Sequence, residues 1–206
     1  MMVLFDFDGT LADSIGLGFE IANSYADEVG YNRVEREKGM ELSALEIMKE
    51  AGISFWKLPK LIFLLKQKLN ENKDKIPMIK GVDELIGRLK NDGFEFGIIT
   101  THSADGVAHF LEKNNLTSYF SYIKTDVPLF GKKKALQKAK KQLKSSFVYV
   151  GDELRDVEAC RRTGVPIVSV PWGFNSVKVL EKGNPGLVAK TIDEAYNFIC
   201  QEAKKI

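Results

Sequence analysis

Two cysteines, two histidines and no long apolar run: these are the scarcities of this 206-residue chain, and each excludes something. Cys160 and Cys200 lie 40 positions apart, without the spacing of a zinc site or of a redox pair, so both are expected as reduced thiols. The longest apolar stretch, Leu61-Ile62-Phe63-Leu64-Leu65, falls far short of the ~20 residues that span a bilayer. Charge of one sign is missing as well. Thirty Lys and Arg against 28 Asp and Glu leave a net +2, which argues against a dedicated nucleic-acid or membrane-surface protein, while a pI near 8.4 leaves room for an acidic ligand. There is no low-complexity segment and no repeat at a solenoid period. What is present is 44% hydrophobic content, enough for one core of about 140 residues plus an insertion.

After about residue 80 the chain alternates strand-like and helical patterns, as a doubly wound α/β sheet does. Strands are expected at 2–6, 95–100, 120–124, 147–151 and 166–170, with helices near 82–92, 103–115, 132–144, 154–163 and 191–204. Residues 15–78 break the alternation. They carry helical periodicity in three pieces, 15–29, 40–51 and 54–71, punctuated by Gly30, Gly52 and Pro77. The expected fold class is therefore α/β: a Rossmann-like, mostly parallel sheet formed by 1–14 and 79–206, with 15–78 inserted as an all-α domain.

The chemistry gathers at strand ends. Asp6-Phe7-Asp8-Gly9-Thr10 follows the apolar run Met1–Phe5. If strand geometry persists, Asp6 and Asp8 point the same way, and Gly9 then turns the chain. Like charges at about 4 Å and an effective dielectric of about 20 repel by roughly 4 kcal/mol. The pair needs a metal, a shared proton or divergence into water; a plain strand-ending turn is the alternative. Gly151-Asp152-Glu153-Leu154-Arg155-Asp156 stands in the same relation to Phe147–Val150. In an open parallel sheet both clusters lie at the ligand-binding edge, where hard oxygen donors suit Mg²⁺. Between them, Thr100-Thr101-His102-Ser103 forms a hydroxyl-rich helix entry able to bind an oxyanion, and Gly131-Lys132-Lys133-Lys134 offers a cation at the start of another helix.

A carboxylate pair, a hydroxyl, a lysine and a second acidic pair, in that order and over nearly the whole chain, resemble the haloacid dehalogenase (HAD) superfamily, specifically its phosphatases similar to phosphoglycolate phosphatase. The resemblance implies that Asp6 is the nucleophile and Asp8 the general acid/base, with Thr100 and Lys132 on the phosphoryl group. It implies Mg²⁺ held by Asp6, the Asp8 backbone carbonyl and Asp152, with Asp156 in direct or indirect support. Gly9, Thr10, Thr101 and His102 are the expected substrate neighbours. An acid at position 8 favours phosphoryl chemistry over carbon–halogen cleavage, because the dehalogenases as a group lack it. The helical segment then corresponds to a cap that excludes water and selects substrate.

Lys132 is preferred over Lys133 and Lys134 because it follows Gly131 and precedes the buried face begun by Leu136. Leu136, Ala139 and Leu143 leave Lys133, Lys134, Lys138, Lys140, Lys141 and Lys144 to solvent, and no aromatics interleave with them as a nucleic-acid platform requires. Arg155 is expected to pair with local carboxylates. Phe19, Tyr25, Phe55 and Trp56 are expected to pack within the helical segment, and Pro171–Asn175 to turn the chain and cover the sheet end, with Trp172 or Asn175 shaping the pocket as the alternative. His102 either bonds a substrate oxygen or merely starts a helix. A nucleophile at residue 6 would be lost with any cleaved leader, so the expected compartment is the cytoplasm. The expected partner is a small phosphorylated metabolite, with neither nucleic acid nor membrane. A phosphomutase and a phospho-acceptor signalling module are the other readings of the same motifs.

Overall fold

The computed structural model describes residues 1–143 and 145–206; Lys144 lies outside the described residues. Five strands form one parallel sheet in the order β3-β2-β1-β4-β5: β1 (Met2–Phe5), β2 (Glu95–Ile99), β3 (Phe120–Lys124), β4 (Phe147–Gly151) and β5 (Ile167–Ser169). β1 is flanked by β2 and β4, with Val3 opposite Phe96 on one side and Val148 on the other. Its four residues are all buried, as a strand covered on both faces must be. Val3 and Phe5 enter one core with α6 (Val82–Asn91), α7 (Ala104–Lys113) and α11 (Ile192–Ala203). Met2 and Leu4 enter the other, with α8 (Lys132–Gln142) and α9 (Leu154–Thr163). The strand order reverses beside β1, which opens the crevice where such sheets bind ligands.

The helical stretch comprises α1 (Ile15–Ser24), α2 (Ala26–Val29), α3 (Arg36–Met40), α4 (Ala44–Glu50) and α5 (Leu58–Glu71). The helix expected over 15–29 is broken at Tyr25. The Ser24 hydroxyl donates back to the Ile21 carbonyl at 2.7 Å and the Tyr31 hydroxyl takes the Ala22 carbonyl, so side chains compete for acceptors near the break. Of the piece expected over 40–51, Ala44–Glu50 is helical as α4, its start set by Ser43 in a reciprocal capping box with Glu46, while α3 ends at Met40 and was not foreseen. Pro59 sets the start of α5. Helix α10 (Val177–Gly183), capped by Ser176, was not foreseen: seven residues are too few for a clear periodic signal.

The chain leaves and re-enters the sheet domain side by side. The Asp13 N–H donates to the Pro77 carbonyl at 2.9 Å and the Ile79 N–H to the Leu11 carbonyl at 3.0 Å. Phe55 and Trp56 correct an expectation: they stand 68% and 89% exposed, touching one another edge to face instead of packing inward. They fall in the connection before α5, outside any apolar helical face. Among the described residues, no helix is long and apolar enough to cross a membrane.

Candidate active site

Asp6 continues the alternation of β1 toward the α8 face, and Lys132, the first residue of α8, meets it there. The Lys132 ammonium donates to Asp6 Oδ2 at 2.5 Å and also to Asp156 Oδ1. Both carboxylates and the lysine are buried, so each charge depends on the others. Lys133 and Lys134 are exposed, as the position of Gly131 led us to expect. Asp152, at the end of β4, completes the group: Asp6, Asp152 and Asp156 each offer an oxygen within 4.8 Å of the others. Asp152 is held by Thr10 Oγ1 at 2.7 Å and by the Phe174 N–H at 2.7 Å. Gly9, at φ +72°, and Gly173 both pack against this carboxylate so closely that a Cβ on either would collide with it.

Three buried carboxylates surround one ammonium, and the imbalance shows in the acidities of Asp6 and Asp152. Burial pushes Asp6 up to about 7, with Lys132 opposing the rise and Asp156 adding to it. Burial, then the charge of Asp6, drives Asp152 well above the ordinary carboxylate range. A divalent cation removes that excess, and the donors are hard oxygens on the end of a rigid sheet, so the cluster fits Mg²⁺.

Asp8 does not join this cluster. β1 ends at Phe5, the Asp6 side chain accepts from the Phe7 N–H at 2.8 Å, and the N–H groups of Leu11 and Ala12 turn back onto the Phe7 carbonyl. The strand geometry that would have kept the two acids parallel is gone, and they diverge. Asp8 instead accepts from Ser14 Oγ at 2.6 Å and stands 3.0 Å from His102 Nδ1. Burial raises its pKa, but His102 and Ser14 more than offset that and hold it below the usual range. The same contact works on His102: burial lowers its pKa and Asp8 raises it, with a net rise.

Thr100 is buried at the end of β2, and its Oγ1 accepts from the His102 N–H at 3.0 Å. Thr101 lines two clefts that reach Asp8. One, of about 290 Å³, runs among Ile15, Phe19, Leu61 and Leu65 to Arg155. The other, of about 790 Å³, lies between α5 and the segment 127–131. Arg155 pairs with Glu153 and donates to the Leu129 carbonyl at 2.6 Å, local bonding as expected. Asn175 ties the helical stretch to the acidic loop: its amide donates to the carbonyls of Met40 and Leu42, and its Oδ1 accepts from the Leu154 N–H at 2.9 Å. Phe174 stacks on Phe19 at 5.7 Å, and Trp172 Nε1 donates to the Thr10 carbonyl. Sequence reasoning missed Ser14 as a partner of Asp8; its place six residues after that acid, just before a helix, was the available signal.

The parallel sheet, its reversal beside β1 and the acidic, lysine-bridged strand ends define a phosphatase of HAD type. The family model described as haloacid dehalogenase-like hydrolase matches residues 3–170, and the chain belongs to that family. It is similar to the phosphoglycolate phosphatase of Synechococcus elongatus, with 31% identity over 97% of each chain. It is also similar to that of Nitrosococcus oceani, with 25% identity over 98% of this chain and 97% of the other. In fold it is similar to the crystal structure of a predicted phosphatase from Clostridium acetobutylicum, with a TM-score of 0.78, 22% identity and coverage of 97% and 98%. The chain is thus a phosphatase of the HAD family.

Proposed function

We propose that the protein hydrolyses a small phosphomonoester through a phosphoryl group carried on Asp6. The observation that carries this reading is the pairing of buried Asp6 with Lys132, beside Asp152 and Asp156, while Asp8 stands apart at the cleft. An Asp6 oxygen attacks phosphorus, the bond from phosphorus to the ester oxygen breaks, and Asp8, which enters this step in its protonated form, gives that oxygen its proton. Water then attacks the aspartyl-phosphate and Asp8 takes its proton. Inorganic phosphate departs with the Asp6 carboxylate restored. Lys132 and Thr100 orient the phosphoryl oxygens, with Gly9, Thr10 and Thr101 around them. Mg²⁺, held by Asp6, Asp152 and the Asp8 carbonyl with help from Asp156, would supply the charge neutralisation that lets one anion approach another.

Residues 15–78 serve as the cap and 1–14 with 79–206 as the catalytic core; the paired entry and exit segments at 11–13 and 77–79 support that division. The substrate class is a small phosphorylated metabolite. 2-Phosphoglycolate is the first to test, since two relatives bear that name. The cytoplasm is the proposed compartment, supported by two unpaired cysteines. The test is phosphate release across a panel of phosphorylated metabolites. Turnover that needs Mg²⁺, is lost on chelation and is absent from Asp6→Asn upholds the proposal; no release from any of them, or release that Asp6→Asn retains, overturns it.

A further inference from the structure

His102 has no freedom to move. Its ring is buried, with 3% of the side chain exposed, and packs at 4.8 Å on Phe7. Its far nitrogen lies so near Gly106 in α7 that a Cβ there would collide with it. The backbone is pinned as well, with the N–H on Thr100 Oγ1 at 3.0 Å and the carbonyl accepting from the Asp126 N–H at 2.9 Å. From this fixed frame Nδ1 stands 3.0 Å from Asp8 Oδ1 and 3.1 Å from Oδ2. Ser14, itself buried, donates to Oδ1 from the opposite end of the motif at 2.6 Å. Oδ1 therefore takes two donors, and Oδ2 keeps coordination to spare. Asp8 is partly exposed and immediately precedes the turn at Gly9, so without these two contacts its carboxylate would rotate freely.

We propose that His102 is a positioning residue for Asp8: a rigid ring that locks the carboxylate in the orientation from which it exchanges a proton with the ester oxygen and with water. The inference rests on the reading of Asp8 as the acid/base, and it goes beyond a substrate contact at His102. Proton delivery contributes roughly 10²–10⁴-fold and depends on placing the acid within hydrogen-bond reach of the departing oxygen. In kcat/KM, which reports the steps through loss of the ester oxygen, a poorly held Asp8 forfeits part of that factor only where the departing oxygen needs a proton; the later step with water is common to all substrates.

The test compares an alkyl phosphomonoester with p-nitrophenyl phosphate, whose phenolate leaves unprotonated, on His102→Ala, His102→Gln and Asp8→Asn. For His102→Ala, kcat/KM on the alkyl ester should fall by about thirtyfold or more and on p-nitrophenyl phosphate by less than about threefold, with partial recovery in His102→Gln. Equal losses on both substrates assign His102 a merely structural role, and no loss removes any role; either overturns the proposal. If the alanine variant melts early, His102→Gln decides by the same ratio. Selective loss in Asp8→Asn without selective loss at His102 defeats this inference alone. Absence of selectivity in Asp8→Asn defeats the acid/base reading and this inference with it.

Discussion

Asp6 and Asp8 are two residues apart, identical in type, and live in opposite surroundings. Asp6 is sealed at the sheet end with two other acids and one lysine, and burial pushes it up to about 7. Asp8 faces a cleft, and despite its burial penalty the neighbouring histidine and serine hold it below the ordinary range. The difference teaches that a single turn after a strand can split a repulsive pair into two groups with separate tasks. The sealed acid keeps its charge only beside a cation, which suits a nucleophile that meets a phosphoryl group. The outer acid keeps a defined orientation and access to solvent, which suits a proton carrier.

The largest expected effect breaks the sealed side. Asp6→Asn removes the attacking oxygen and should lower phosphate release by about a thousandfold or more in a steady-state assay. Lys132→Ala comes next. It removes a preorganised donor worth about 2.7–4 kcal/mol in a transition state, so kcat/KM should fall at least about a hundredfold. It also leaves Asp6 and Asp156 without their cation, so urea titration should show the variant destabilised by about 3–5 kcal/mol, whereas exposed Lys133→Ala should stay within about 0.5 kcal/mol of the parent.

Acidity sharpens the contrast further. Mg²⁺ needs Asp6 ionised, and a carboxyl pushed up to about 7 holds its proton below that pH, so the proton competes with the metal. Calorimetric Mg²⁺ affinity should therefore be steady above neutrality and fall toward pH 5; an affinity unchanged between pH 7 and about pH 5 would contradict the strained cluster. Asn175→Ala, which strands the Leu42 carbonyl and the Leu154 N–H and leaves the Met40 carbonyl to the Ser176 N–H alone, should cost about 1–3 kcal/mol in denaturant unfolding. Trp56→Ala should be the smallest change, within about 0.5 kcal/mol, because the ring is in water.

The sealed side was legible in the sequence because it depends on strand ends. Asp6, Asp152 and Asp156 follow apolar runs, and Lys132 was separable from Lys133 and Lys134 by a glycine before it and a buried face after it. All five strands were found within one residue at each end, since buried parallel strands read as bounded apolar runs. The outer side was less legible. Ser14 and His102 reach Asp8 across a turn and from a different strand, and no local pattern encodes that meeting. The break at Tyr25 and the start of α4 at Ser43 come from side chains bonding to backbone groups, which periodicity does not register. Asn175 bridges two regions 135 positions apart in the chain, a contact only the folded path creates.

The claim that Asp6 carries the phosphoryl group is tested most directly by turnover in oxygen-18 water followed by peptide mass spectrometry. Water that attacks phosphorus labels the released phosphate from the first turnover. If Asp6 is the acceptor, water that instead opens the acyl-phosphate at its carbonyl adds label to that carboxylate, and quenching the reaction early in acid, then treating the dried protein with borohydride in dimethyl sulfoxide, should reduce the acyl-phosphate and mark Asp6 alone. Reductive labelling at Asp8, or at neither acid while phosphate is being released, would contradict the account.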